Sequence, residues 1–155
     1  MKPESMQADL IAALQDQGLR ISKARRALTL EIESRSGTFT AEEISESLPE
    51  VGRATVFRTL KVLVDGGTIC RVNTPLGAPI YTRARVEHHH HTYCVNCADV
   101  QEIRLSNVEL MLEPLGREVK GQIVGHSVDL FIICDRCVDA VGSTYNGKMV
   151  GTFGD

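Results

Sequence analysis

At 155 residues, 43% of them hydrophobic, the chain can bury one sizeable core or two small ones, and a half of roughly 75 residues falls where a metal, disulfides or oligomerisation usually supplements the core. No stretch approaches the roughly 20 apolar residues of a membrane span, and Met1 to Gln17 lacks a basic-then-apolar leader pattern, so a cytoplasmic protein with no membrane association is expected. The net charge of −3 argues against indiscriminate nucleic-acid binding, but residues 1–80 carry ten Lys/Arg against ten Asp/Glu while residues 81–155 carry seven against ten, so local patches decide.

Met6, Leu10, Ala13 and Leu14 predict a first helix over residues 5–17, stopped by Gly18. A second is expected from Ser22 to Ser34, with Ala24, Leu28 and Ile32 on one stripe and Lys23, Arg25 and Arg26 in its opening turn. Thr40-Ala-Glu-Glu43 has the spacing of a capping box and predicts a short third helix ending near Pro49. After Gly52 comes a fourth, in which Val56, Leu60 and Leu63 face the core. Arg53, Thr55, Phe57, Arg58 and Lys61 lie largely elsewhere and offer a basic, partly aromatic face to a DNA major groove. Gly66-Gly67 ends it. Two short strands, 68–73 and 80–83, around a turn over 74–79 then form a wing. An isolated basic helix is more often a solvated surface, but its position after a helix-turn and before a hairpin favours DNA contact.

All five cysteines follow residue 69, and four form two CxxC pairs, Cys94/Cys97 and Cys134/Cys137. Without a leader, such pairs favour metal over disulfides. Four thiolates make a closed tetrahedral Zn²⁺ site with no open position, hence a structural one, pinning a strand that ends near Cys97 to one that ends near Cys137. A thioredoxin-like redox role is disfavoured because no helix is expected to start inside either motif.

His88-His89-His90-His91 lies between, read as the start of a strand. Side chains alternate along a strand, so His88 and His90 project to one face and His89 and His91 to the other. Glu109, on a helix predicted from Ser106 to about Gly116, and His126, before a strand over 127–134, are candidate partners of the even pair. Glu102 and Cys70 are candidates for the odd pair. A set of Cys70, His89, His91 and Glu102 would join the two halves and make their relation depend on metal. A solvated polar strand for the histidines and a buried small hydrophobe for Cys70 are the ordinary alternatives.

These residues carry a resemblance. Gly18-Leu-Arg-Ile-Ser-Lys-Ala-Arg25, Gly52-Arg-Ala-Thr-Val-Phe-Arg-Thr-Leu60, the run from His88 to Cys97, and His126 followed by Cys134-Asp-Arg-Cys137 together resemble the ferric uptake regulator (Fur) superfamily over about residues 10–140. The resemblance implies an α+β chain: an N-terminal winged helix-turn-helix domain, residues 1–82, and a C-terminal α/β dimerisation domain with structural zinc, residues 83–140, followed by a flexible tail, 141–155. It implies a homodimer that binds double-stranded operator DNA when a regulatory metal is present, commonly as a repressor of metal-homeostasis genes, and no enzyme. It assigns the structural zinc to Cys94, Cys97, Cys134 and Cys137, a second site to His88, His90, Glu109 and His126, and the hinge sensor to His89 and His91 with Glu102 and Cys70. Arg20, Lys23 and Arg25 are then expected at phosphates or the minor groove, and Arg53, Thr55, Phe57 and Arg58 in the major groove.

The four-histidine tract is most similar to the zinc uptake regulator (Zur) branch, and a thiolate beside two imidazoles favours regulatory Zn²⁺. Fe²⁺, Mn²⁺ and peroxide sensing are the alternatives within the superfamily; a zinc-storage module and a zinc hydrolase are alternatives outside it. Three departures from the family's pattern stand out. Ala84 replaces a cysteine usual in zinc sensors; neither Thr38 nor Arg83 supplies the ligand usual in iron sensors; and Phe57 replaces the usual tyrosine.

Overall fold

The Asp9 carboxylate accepts from the backbone N–H groups of Ile11 and Ala12 at 2.9 and 3.1 Å and thereby opens α1 (Leu10–Asp16). The computed structural model describes residues 9–75, 77–84, 88–104 and 106–141, so Met6, the opening turn of the expected first helix and the expected tail beyond Val141 lie outside the described residues. Two compact units are found, divided in sequence between His88 and His89.

In the first unit, α2 (Lys23–Ser34) is capped by Ser22, whose hydroxyl accepts from the Arg25 N–H. The predicted capping box opens α3 (Ala41–Ser47): Glu43 N–H donates to Thr40 Oγ1 at 3.1 Å and Thr40 N–H to Glu43 Oε2 at 2.7 Å. Arg35 ties α2 to α3 by donating to Glu31 Oε1 and to Ser47 Oγ, at 2.8 and 2.7 Å. Next comes α4 (Arg53–Asp65), which buries Val56, Leu60 and Leu63 against Leu10, Leu14, Leu28, Ile32 and Ile44. Each such side chain contributes roughly 1.5–3 kcal/mol when fully buried.

β1 (Ile69–Val72) and β2 (Ile80–Arg83) pair antiparallel from Ile69↔Arg83 to Val72↔Ile80. Phe39 bridges to Tyr81 by reciprocal backbone hydrogen bonds of 2.9 and 2.7 Å, and their rings stack at 5.9 Å. The hairpin is thereby fixed to the segment that leads into α3.

In the second unit, β3 (His90–Cys94) is the middle strand, antiparallel to β4 (Val100–Ile103) and parallel to β5 (Asp129–Ile132). Between β4 and β5 runs α5 (Ser106–Glu118), and α6 (Asp135–Val141) follows β5. The first strand starts at His90 rather than at His88, because the β4 ladder begins at His90↔Ile103 and the β5 ladder at His91↔Asp129. It also ends at Cys94, with Cys97 in the following turn. The helix α6, unanticipated from the sequence, starts between Cys134 and Cys137. The absence of such a helix therefore no longer argues against redox chemistry, and the thiol geometry must decide.

Candidate metal centres and nucleic-acid interface

The two CxxC segments converge because β3 and β5 lie side by side in register up to Cys94↔Ile132. Cys94 Sγ lies 3.9 Å from Cys137 Sγ and Cys97 Sγ 3.7 Å from Cys134 Sγ, and all four sulfurs fall within 4.8 Å of one another. A tetrahedron with Zn–S bonds of about 2.3 Å has sulfur edges of about 3.8 Å, so the four thiols fit one zinc ion. A dithiol pair for redox exchange needs two sulfurs rather than four gathered within 4.8 Å of one another. Burial alone pushes the Cys94 thiol up, but N–H groups of Cys134, Cys97 and Asn96 aimed at its sulfur prevail and bring it down to about 6. The Asp99 N–H pulls the Cys97 thiol down, yet its shared hydrogen bonding with Cys94, together with burial and the other two thiols, drives it up to about 12. Across the same knuckles Arg136 donates to Asp99 at 2.9 Å.

The histidines of the tract have different neighbours, and of the four only His90 and His91 lie within β3. Buried His90 has its Nε2 3.0 Å from Glu109 Oε1, which also lies 3.0 Å from His126 Nε2, and the two imidazoles are 5.3 Å apart. Ligand atoms around one ion with bonds of about 2.1 Å lie about 3.0–3.4 Å apart, so these three donors suit a metal as well as direct hydrogen bonding. His88, exposed, is the last residue of the first unit.

His89 and His91 stand together, with ring centroids 4.9 Å apart and planes nearly perpendicular. Their neighbours come from register: His91 is opposite Glu102 on β4 and opposite Asp129 on β5. Glu102 Oε1 lies 4.0 Å from His89 Nε2, and Asp129 Oδ1 lies 3.6 Å from His91 Nδ1. Asp129 is the residue missed from the sequence. Its signal was a carboxylate opening the otherwise apolar run Leu130-Phe131-Ile132-Ile133. Burial first, then the neighbouring His89, hold the His91 imidazole below its ordinary value against the upward pull of Asp129 and Glu102. Cys70, in the first unit, is half-buried on β1 opposite Thr82.

On α4, Arg53, Phe57, Arg58 and Lys61 are exposed and Thr55 is half-buried. The Arg53 guanidinium stands 5.7 Å over the Phe57 ring and 3.3 Å from Glu42. Phe57 is 42% exposed. Arg20 and Lys23 are also exposed, whereas Arg25 is half-buried and donates to the Arg20 carbonyl at 2.6 Å, bracing the turn before α2.

The profile of the ferric uptake regulator family matches residues 16–131, across both units. The chain belongs to the ferric uptake regulator family. This Fur-family protein is 30% identical over 129 residues to the ferric uptake regulation protein of Legionella pneumophila, covering 80% of this chain and 95% of that one. Among solved structures, the Vibrio cholerae ferric uptake regulator superposes with a TM-score of 0.60 at 27% identity, covering 81% of this chain and 100% of that one. A zinc uptake regulator solved with zinc and DNA gives 0.64 at 18% identity, covering 86% and 95%, a likeness of fold. The protein is a metal-responsive transcription regulator with an α+β fold, an N-terminal DNA-binding domain and a C-terminal dimerisation domain. It is not an enzyme, which removes the hydrolase alternative. No described helix is long and apolar enough to cross a membrane.

Proposed function

We propose that this protein is a zinc-responsive repressor of metal-homeostasis genes, working in the cytoplasm as a homodimer on double-stranded operator DNA. In this reading residues 1–82 are the DNA-binding domain and 83–140 the dimerisation domain. Cys94, Cys97, Cys134 and Cys137 hold structural Zn²⁺; His88, His90, Glu109 and His126 hold a second ion; and Cys70, His89, His91 and Glu102 form the hinge sensor. Arg53, Thr55, Phe57 and Arg58 enter the major groove, while Arg20, Lys23 and Arg25 serve the backbone or minor groove. The observation that carries the choice of zinc is donor chemistry: Cys70 is a thiol outside the four-cysteine cluster, and thiolate with imidazole selects Zn²⁺ over Fe²⁺ and Mn²⁺. Dimer formation is supported by the exposed apolar side chains Leu110, Met111, Val119, Ile123 and Val124, on α5 and the segment after it.

Bound at the hinge, the metal supplies a cross-link whose ligands come from both domains. The spacing of two reading heads on one dimer then depends on occupancy, and holding both on one duplex raises the effective concentration of the second. Cys70→Ser tests the assignment. The free-zinc concentration needed for operator binding should rise at least about tenfold, a loss of about 1.4 kcal/mol. An unchanged midpoint would remove Cys70 from the site. A second reading, an iron or manganese sensor, is favoured by one observation: the face carrying His89 and His91 also bears the carboxylates Glu102 and Asp129, a donor set that suits Fe²⁺ or Mn²⁺ if Cys70 is not a ligand.

A further inference from the structure

We propose that Asp129 is the positioning residue of the hinge site, keeping the proton of His91 on Nδ1 so that Nε2 is presented as the ligand atom. The proposal rests on the reading of His89 and His91 as regulatory ligands, but its geometry lies wholly within the second unit. Parallel pairing of β3 and β5 sets Asp129 directly beside His91, and side chains at paired positions project to the same face of a sheet. The carboxylate, itself only 10% exposed, meets the imidazole at Nδ1, 3.6 Å away. On the opposite strand Glu102 Oε1 lies 4.0 Å from Nε2 of the neighbouring His89.

The far side of the His91 ring makes the case. His91 is 7% exposed, and its Nε2 is fully buried with no hydrogen-bond partner among the described residues. A neutral imidazole carries its single proton on one nitrogen and a lone pair on the other. A carboxylate facing Nδ1 favours the proton there, which leaves a buried lone pair at Nε2 that no donor among the described residues meets. A buried polar atom left this way costs free energy in any fold that does not use it, and a cation is what it fits. Histidines that ligate metals commonly direct the other ring nitrogen at a carboxylate, which fixes the tautomer and ring orientation.

The test uses the full chain with its four-cysteine zinc retained. In metal-free hinge sites, ¹⁵N-histidine NMR, with the His91 signals assigned through His91→Gln, should show Nδ1–H and a lone pair on Nε2. Asp129→Leu should shift the ring toward the Nε2–H tautomer and weaken hinge binding of Zn²⁺, and of Mn²⁺ measured separately, about 10–100-fold in chelator competition. Asp129→Asn, which keeps the shape and one acceptor oxygen, should fall between and serves if the leucine variant does not fold. A native His91 already protonated on Nε2, or an unchanged tautomer and affinity in both variants, would overturn the role of Asp129. Unchanged metal affinity in His91→Ala would instead overturn the hinge reading, and the two failures separate because the tautomer is read without metal.

Discussion

Glu109 Oε1 lies 3.0 Å from Nε2 of His90, and the same oxygen lies 3.0 Å from Nε2 of His126. One carboxylate from α5 thus bridges an imidazole from the central strand and one from the segment before β5. Glu109→Ala should lower affinity for one metal equivalent about 10–100-fold and leave the four-cysteine zinc in place. Competition with a graded series of chelators, followed by metal analysis, checks this; an unchanged second equivalent would make the contact an ordinary hydrogen-bonded pair.

The four-cysteine cluster should control stability of the dimerisation domain. Its small buried core has the cysteines themselves at the centre, Cys94, Cys134 and Cys137 packed with Ile132 and Ile133. Structural zinc in small domains is worth about 10–16 kcal/mol apparent in zinc-finger peptides. Cys97→Ser, or a strong chelator, should therefore unfold this half while the helical half keeps its own transition. Differential scanning calorimetry should show one melting event lost and one retained; two unchanged events would refute a structural role.

How far the fold could be read in advance follows from where the information lies. The helices of the first half were legible because each carries its own cap and apolar stripe: Thr40 with Glu43 for α3, and Val56, Leu60 and Leu63 for α4. The opposite faces of His90 and His91 followed from strand alternation, whereas His88 and His89 precede β3. The Asp129 contact was not legible, because it depends on which residue of β5 aligns with His91, and register between distant strands is a tertiary property. The helix starting at Asp135 was hidden by the CxxC spacing, which reads equally well as a knuckle. The start of β3 at His90 reflects where its neighbours begin.

Capping should matter measurably. Thr40→Ala removes the acceptor for the Glu43 N–H at 3.1 Å and should cost about 1 kcal/mol, roughly 4–8 °C in the melting temperature of a domain this size. Thr40→Ser should restore most of it, since the hydroxyl is what accepts.

On α4, Arg58 is exposed, and its side chain donates to the Ala54 carbonyl one turn earlier at 3.0 Å. Arg58→Ala should weaken operator binding by about 1–3 kcal/mol if it reads a base, and should lower the salt slope by about one if it meets a phosphate. Fluorescence anisotropy across a salt series separates the two, and no change in either quantity would displace α4 as the recognition helix.

The central claim is that DNA binding answers to zinc. Labelled promoter fragments of metal-uptake genes should be titrated with the protein at fixed salt, with free Zn²⁺, Mn²⁺ and, anaerobically, Fe²⁺ each buffered across its cellular range. Tight binding should develop as free zinc rises and be absent when the hinge is empty. Binding that answers to iron or manganese alone would contradict zinc sensing and return Cys70 to the core, and binding indifferent to all three metals would contradict the switch itself.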